Sequence, residues 1–194
     1  MRLPGPTEIF ALFDDARPRH AAAARLYRDP VSIIAAHRME EVQPALDRIA
    51  DAREAGLHVA GYMSYEAGLA LEERLAPIGR RHDQRSDGSP LLWFGLFEGV
   101  RLIPHGTLPA MLPDPTGAQV GPLRPMVEAA DYRVAFDAVQ DYIRAGDIYQ
   151  ANLTFAAQVS IVGDPLAVYA RLRREAQAGY GAVVATGRET LLSL

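Results

Sequence analysis

The chain contains no cysteine and no lysine. The first absence excludes disulfides, cysteine nucleophiles and thiolate metal sites, and leaves the redox compartment open. The second makes all 20 basic residues arginines and excludes Schiff-base and other lysine chemistry from these 194 residues. No apolar run approaches the roughly 20 residues of a membrane span, and the N-terminus lacks a basic-then-apolar signal pattern. A cytoplasmic protein without membrane contact is the expectation. A net charge of −4 and a pI near 5.7, with no basic cluster on any helix face, leave no electrostatic footprint for nucleic acid. Phosphate loops with lysine, nucleophile elbows, zinc-protease motifs and acidic calcium loops are also missing. The histidines His20, His37, His58, His82 and His105 are scattered without ligand spacing, so no histidine metal site is expected.

What is present is a 49% apolar sequence long enough for one large domain, or for one complete domain and part of another. Its most structured stretch is Asp131 to Val159. Tyr132, Phe136, Val139, Tyr142 and Ile143 fall on one helical face, with Asp131 where an N-cap belongs and Gly146 where a left-handed stop belongs. Beyond Gly146 the period becomes two. Tyr149, Ala151, Leu153, Phe155, Ala157 and Val159 share one face of a predicted long strand, and Ile148, Gln150, Asn152, Thr154, Ala156 and Gln158 share the other. The Gln150, Asn152, Thr154 row presents amides and a hydroxyl either to water or to a ligand.

Upstream, Ile9 to Phe13 reads as a strand ending in Asp14-Asp15-Ala16-Arg17-Pro18, whose composition is that of a solvated turn. His20 to Tyr27, rich in Ala and Arg, reads as a short helix. Val31 to Ala36 and His58 to Tyr65 read as strands, with Gly61 inviting the close approach of another backbone. Glu40 to Ala55 is an amphipathic helix closed by Gly56, and Pro44 places the start of its regular part near that residue. Glu66 to Ala76 reads as a helix stopped by Pro77, and Arg80 to Ser89 as an exposed loop. The run LLWFGLF at 91 to 97 predicts a buried strand that Glu98-Gly99 turns into Val100 to Ile103 as a hairpin.

Six prolines and three glycines between Pro104 and Pro125 mark a connection. The expected organisation is therefore an N-terminal α+β domain over 1–103, a connection over 104–125 and the beginning of a second domain over 126–194. In the latter, Asp164 to Gln177 reads as a helix, and Ala182 to Thr186 turns through Gly187-Arg188-Glu189 into Leu191 to Leu194. The last stretch reads as a strand interrupted by the chain end, which suggests a fragment of something longer. From these residues alone the fold class is α+β with mainly antiparallel strands.

Several segments together resemble the chorismate-utilising enzymes, and within them the aminodeoxychorismate branch. YRVAFDAVQDYIRAGDIYQANLTF at 132 to 155 is similar to the opening helix and strand of the family's chorismate-binding domain. LFDDARP at 12 to 18, LYRDP at 26 to 30, VAGYMSYEAGLALEERL at 59 to 75 and PLLWFGLFEG at 90 to 99 resemble the N-terminal region of that branch. LLSL at the end matches the strand after which the family continues with Ser-Pro-Glu. The resemblance implies a four-layer α/β/β/α fold, incomplete at the C-terminus. It also implies amination of chorismate at C4, with Mg²⁺ and with ammonia from a glutamine amidotransferase partner, on the way to p-aminobenzoate and folate. The Mg²⁺ ligands and the acid/base groups it implies fall further on, and the lysine nucleophile of that branch has no counterpart here.

Two candidate sites follow from the resemblance. The Gln150, Asn152, Thr154 row falls in the core sheet of the synthase domain, where it either supports the active site or satisfies a neighbouring sheet. Asp14 and Asp15, with the Gly179-Tyr180-Gly181 turn, match a tryptophan-binding pocket of the family. There, Leu12-Phe13-Asp14-Asp15 replaces the Leu-Leu-Glu-Ser pattern of feedback-inhibited anthranilate synthases, which speaks against tryptophan regulation. The alternatives are an anthranilate synthase component and a non-catalytic module that docks an amidotransferase or binds an amino acid. The isolated 194-residue chain is expected neither to aminate chorismate nor to fold well alone.

Overall fold

Short, largely apolar strands pair into two main antiparallel sheets and two small two-stranded ones. The computed structural model describes residues 3–5, 7–79 and 88–194. In chain order the elements are β1 (Phe10–Asp14), β2 (Ala24–Arg28), β3 (Ser32–Ala36), α1 (Met39–Glu54), β4 (His58–Met63), the single turn α2 (Ala76–Gly79), β5 (Leu92–Phe97), β6 (Arg101–Ile103), β7 (Ala118–Val120), β8 (Arg124–Pro125), α3 (Ala129–Ala145), β9 (Ala157–Gln158), β10 (Ile161–Gly163), α4 (Pro165–Ala176), β11 (Gly181–Ala185) and β12 (Thr190–Ser193).

A five-stranded sheet runs β12-β11-β1-β2-β6 and a three-stranded sheet β3-β5-β4; β10 pairs with β7 and β8 with β9. Every pairing is antiparallel. Phe10, Leu12, Leu26, Val183 and Ala185 lie on the face of the larger sheet that packs with Leu166 and Tyr169 of α4. Ala11, Val184 and Tyr27 lie on its other face, against Ala60, Trp93 and Phe97 of the smaller sheet. The far side of that sheet, through Ile34, Leu92 and Leu96, packs on Met39, Val42 and Ala45 of α1. The result is the four-layer α/β/β/α order, with α1 and α4 as the outer layers. Strands from both sides of the 104–125 connection share the larger sheet, because β1 lies between β2 and β11.

Several local expectations are corrected. Residues 24–28 form β2, not a helix: alanine propensity yields to pairing with β1, in which Leu12 faces Leu26. The hairpin expected between β5 and β6 does not form. Both edges of β5 are taken by β3 and β4, so β6 crosses to β2 in the other sheet. Helix α1 begins at Met39, one turn before Pro44, which it carries inside; Gly56 behind it is left-handed at φ 88°. The helix expected at 66–76 is a 3₁₀ turn over Glu66–Ala70, and Pro77 sits within α2. The Arg80–Ser89 loop and His82 fall outside the described residues, apart from Gly88 and Ser89. Gly61 does admit another backbone, since a Cβ there would lie 2.0 Å from the Trp93 carbonyl oxygen.

Helix α3 starts at Ala129, its N-cap Glu128 lying three residues before the expected Asp131, and stops at Gly146 in the left-handed region at φ 83°. Its apolar stripe is not covered: no residue of α3 is buried. The contacts of that stripe are aromatic, Tyr132 meeting Phe136 at 6.4 Å and Phe155 edge-on at 5.5 Å between ring centroids. The long strand expected at 148–159 is reduced to Ala157–Gln158.

Candidate functional site

The end of β1 gathers the most buried charge among the described residues. Among the described residues Asp14 and Asp15 are the two buried acids, at 6% and 5% exposure. The solvated turn expected there is therefore wrong, because each carboxylate has found an arginine. Alternation along β1 sends Asp14 toward α4, where Tyr169 Oη donates to Oδ2 at 3.1 Å and Arg173 donates Nε to Oδ2 and Nη2 to Oδ1, the latter at 3.2 Å. Burial, and then the Asp14 charge, push the Tyr169 hydroxyl well above its ordinary pKa. Asp15 turns the other way. It accepts from Arg17 Nε at 2.9 Å, Arg17 Nη2 at 2.6 Å, the Arg17 amide at 3.2 Å and the Ala22 amide at 2.9 Å. The Arg17 side chain, and after it the Ala22 N–H, hold the Asp15 carboxyl well below the usual carboxylate range against the opposing effect of burial.

The structure brings together all five residues that the sequence reading grouped here. Asp14 faces Gly181 across the β1–β11 register, and the Ala16 amide donates to the Ala178 carbonyl at 2.8 Å. A cleft of about 350 Å³ is lined by Asp14, Asp15, Arg17, Arg25, Gly179, Tyr180 and Gly181, among others. Both glycines meet neighbouring side chains closely. A Cβ on Gly179 would lie 3.0 Å from Arg17 Nε, and one on Gly181 would lie 2.6 Å from Tyr169 Oη. Arg17, Tyr169 and Arg173 escaped the sequence reading; the one signal for them is the demand that adjacent acids at a strand end be neutralised.

Gln150, Asn152 and Thr154 are exposed and lie in irregular backbone. They are not brought to the Asp14–Asp15 cleft.

At the opposite end of the sheets, Glu189 from the β11–β12 turn accepts from Tyr62 Oη at 3.0 Å and Ser89 Oγ at 2.8 Å. This carboxylate fastens the larger sheet to the smaller one, beside a cavity of about 260 Å³ that His37, Trp93 and Arg188 help to line.

Among the described residues no group of three or more His, Asp or Glu side chains is placed to hold a metal ion. Among the same residues no helix is long and apolar enough to cross a membrane.

Compared with known families, the chain matches the model for chorismate binding enzymes over residues 8–194. It belongs to the chorismate-binding enzyme family. No curated protein matches it. The match spans both main sheets and the 104–125 connection, so these sheets and the cleft at the end of β1 belong to a chorismate-utilising framework. It takes in every element from β1 to β12.

Proposed function

We propose that the protein serves as the synthase component of an aminodeoxychorismate synthase, in which ammonia from a glutamine amidotransferase partner replaces the C4 hydroxyl of chorismate. The products are 4-amino-4-deoxychorismate and water. The observation that carries this reading is the family match over residues 8–194, sharpened by the strand end Leu12-Phe13-Asp14-Asp15. Both acids there are already neutralised by arginines of the same chain. A free amino acid offering its ammonium to this cleft meets no open carboxylate, which suits an enzyme that tryptophan does not inhibit. Mg²⁺ enters this reading through the resemblance alone, and no residue of this chain is assigned to it.

The test is genetic complementation with the gene that encodes this chain, expressed beside a glutamine amidotransferase subunit. Growth should return in a host that requires p-aminobenzoate, and not in one that requires anthranilate. Rescue of the anthranilate-requiring host alone would replace the proposal with an anthranilate synthase component. Rescue of neither would support a non-catalytic module.

A further inference from the structure

Strand β3 forms one side of the smaller sheet, and its outer edge is open. The sheet order is β3-β5-β4, and Ser32 to Ala36 pair in unbroken register with Leu96 to Leu92 of β5. Among the described residues no strand takes the other edge of β3. The devices that usually guard such an edge are missing there: residues 31–36 include no charge and no proline, and the pairing has no bulge. Alternation then divides the strand between two environments. Ile34 and Ala36 pack on α1, so Val31, Ile33 and Ala35 stand on the opposite face, the one that the larger sheet covers further along. That cover ends at β5. Trp93, the β5 partner of Ala35, is 5% exposed, whereas Val31 and Ile33 are 53% and 37% exposed and Ala35 is exposed as well. An apolar row thus lies beside a line of backbone groups that no strand has paired.

We propose that β3 is a dimerisation edge, on which β3 of a second copy of this chain pairs antiparallel about a two-fold axis at Ile33. Residues directly opposite each other in an antiparallel ladder point to the same face. This axis therefore sets Ile33 against Ile33 and Val31 against Ala35, all on the exposed apolar face. At each end it brings Asp29 of one copy, its side chain 76% exposed, toward His37 of the other. Arg28 and Arg38, the next residues outward, are already neutralised within their own chain, by Glu8 and Asp29 and by Glu40 and Glu41. An axis at Ile34 would instead put Val31 opposite His37 and lose the charge match. The two three-stranded sheets become one of six strands, and the interface is isologous and closed. With so few residues a side, the interface is small and the dimer a weak one.

The chain has no cysteine, so a single introduced thiol reports the register. Opposed Cα atoms of an antiparallel pair lie roughly 4.5–5.5 Å apart, within reach of a disulfide. In an oxidised glutathione buffer Ile33→Cys should form a covalent dimer at least about tenfold faster than Val31→Cys, whose thiols would face Ala35 and not each other. Sedimentation of the unmodified chain from micromolar to millimolar concentration should show a monomer–dimer equilibrium. Ile33→Lys sets two like charges on the axis and should weaken it at least about tenfold. His37→Asp should weaken it too, and adding Asp29→Asn should restore part of the loss; asparagine suits the left-handed backbone of Asp29, at φ 57°. These side chains lie at the surface, so the variants should fold as the wild type does. A chain that stays monomeric, or equal cross-linking through positions 31 and 33, would overturn the proposal. So would an association that Ile33→Lys leaves unchanged, which would place the contact elsewhere, as on the uncovered stripe of α3. Full association of His37→Asp would overturn the register.

Discussion

Arg173 and Asp14 meet across 159 positions of sequence, with Nε on Oδ2 and Nη2 on Oδ1, and so pin α4 to the end of β1. Both side chains are largely buried, at 14% and 2% exposure. Removing one member of such a pair strands the other charge in a low-dielectric interior. Asp14→Ala should therefore cost about 3–5 kcal/mol, measured by urea denaturation. Tyr169→Phe, which removes one hydrogen bond to the same carboxylate and leaves the ion pair, should cost about 1 kcal/mol.

Asp15 makes stability depend on acid. Its folded pKa lies below the ordinary value of 3.8 because Arg17 and the Ala22 amide favour the charged form. Its contribution is complete above that ordinary value and is lost as the pH falls through the lower folded one. The stability gap between wild type and Asp15→Asn should be constant from neutral pH down to about 5 and shrink only in more acidic solution. Chemical denaturation across this pH range is the measurement.

Gly61 has no room for a side chain. A Cβ would fall 2.0 Å from the Trp93 carbonyl oxygen and 2.7 Å from Phe94 Cα, and neither backbone atom can rotate away. Gly61→Ala should separate β4 from β5 and cost about 3 kcal/mol or more, visible as a lower Tm together with a changed near-ultraviolet signal from Trp93.

Glu189 joins the two sheets through Tyr62 and Ser89. Glu189→Ala removes one hydrogen bond from each hydroxyl and should cost about 1–2 kcal/mol in all. Trp93 is the single tryptophan and lines the adjoining cavity. Its emission should shift to longer wavelength as water enters between the layers.

Local pattern and tertiary contact divided the outcome between them. The strands β1, β5 and β11, the span of α4 behind Asp164 and the stop at Gly146 were legible in the sequence, because apolar runs, capping and left-handed backbone depend on residues within one turn or one strand. Which strands meet was not. β5 pairs with β3 and β4, leaving β6 for the other sheet, and the Ala-rich 24–28 segment becomes a strand because Leu12 faces Leu26. The polar row at Gln150, Asn152 and Thr154 alternates as a strand does, yet alternation without a partner does not make one. The acids at the end of β1 show the same division. Their place beside a glycine turn was legible as a resemblance in the sequence, but composition alone read them as solvated. Only the tertiary structure decided that they are buried, since the charges that make burial tolerable come from Arg17 folding back over Asp15 and from Arg173, 159 positions away from Asp14.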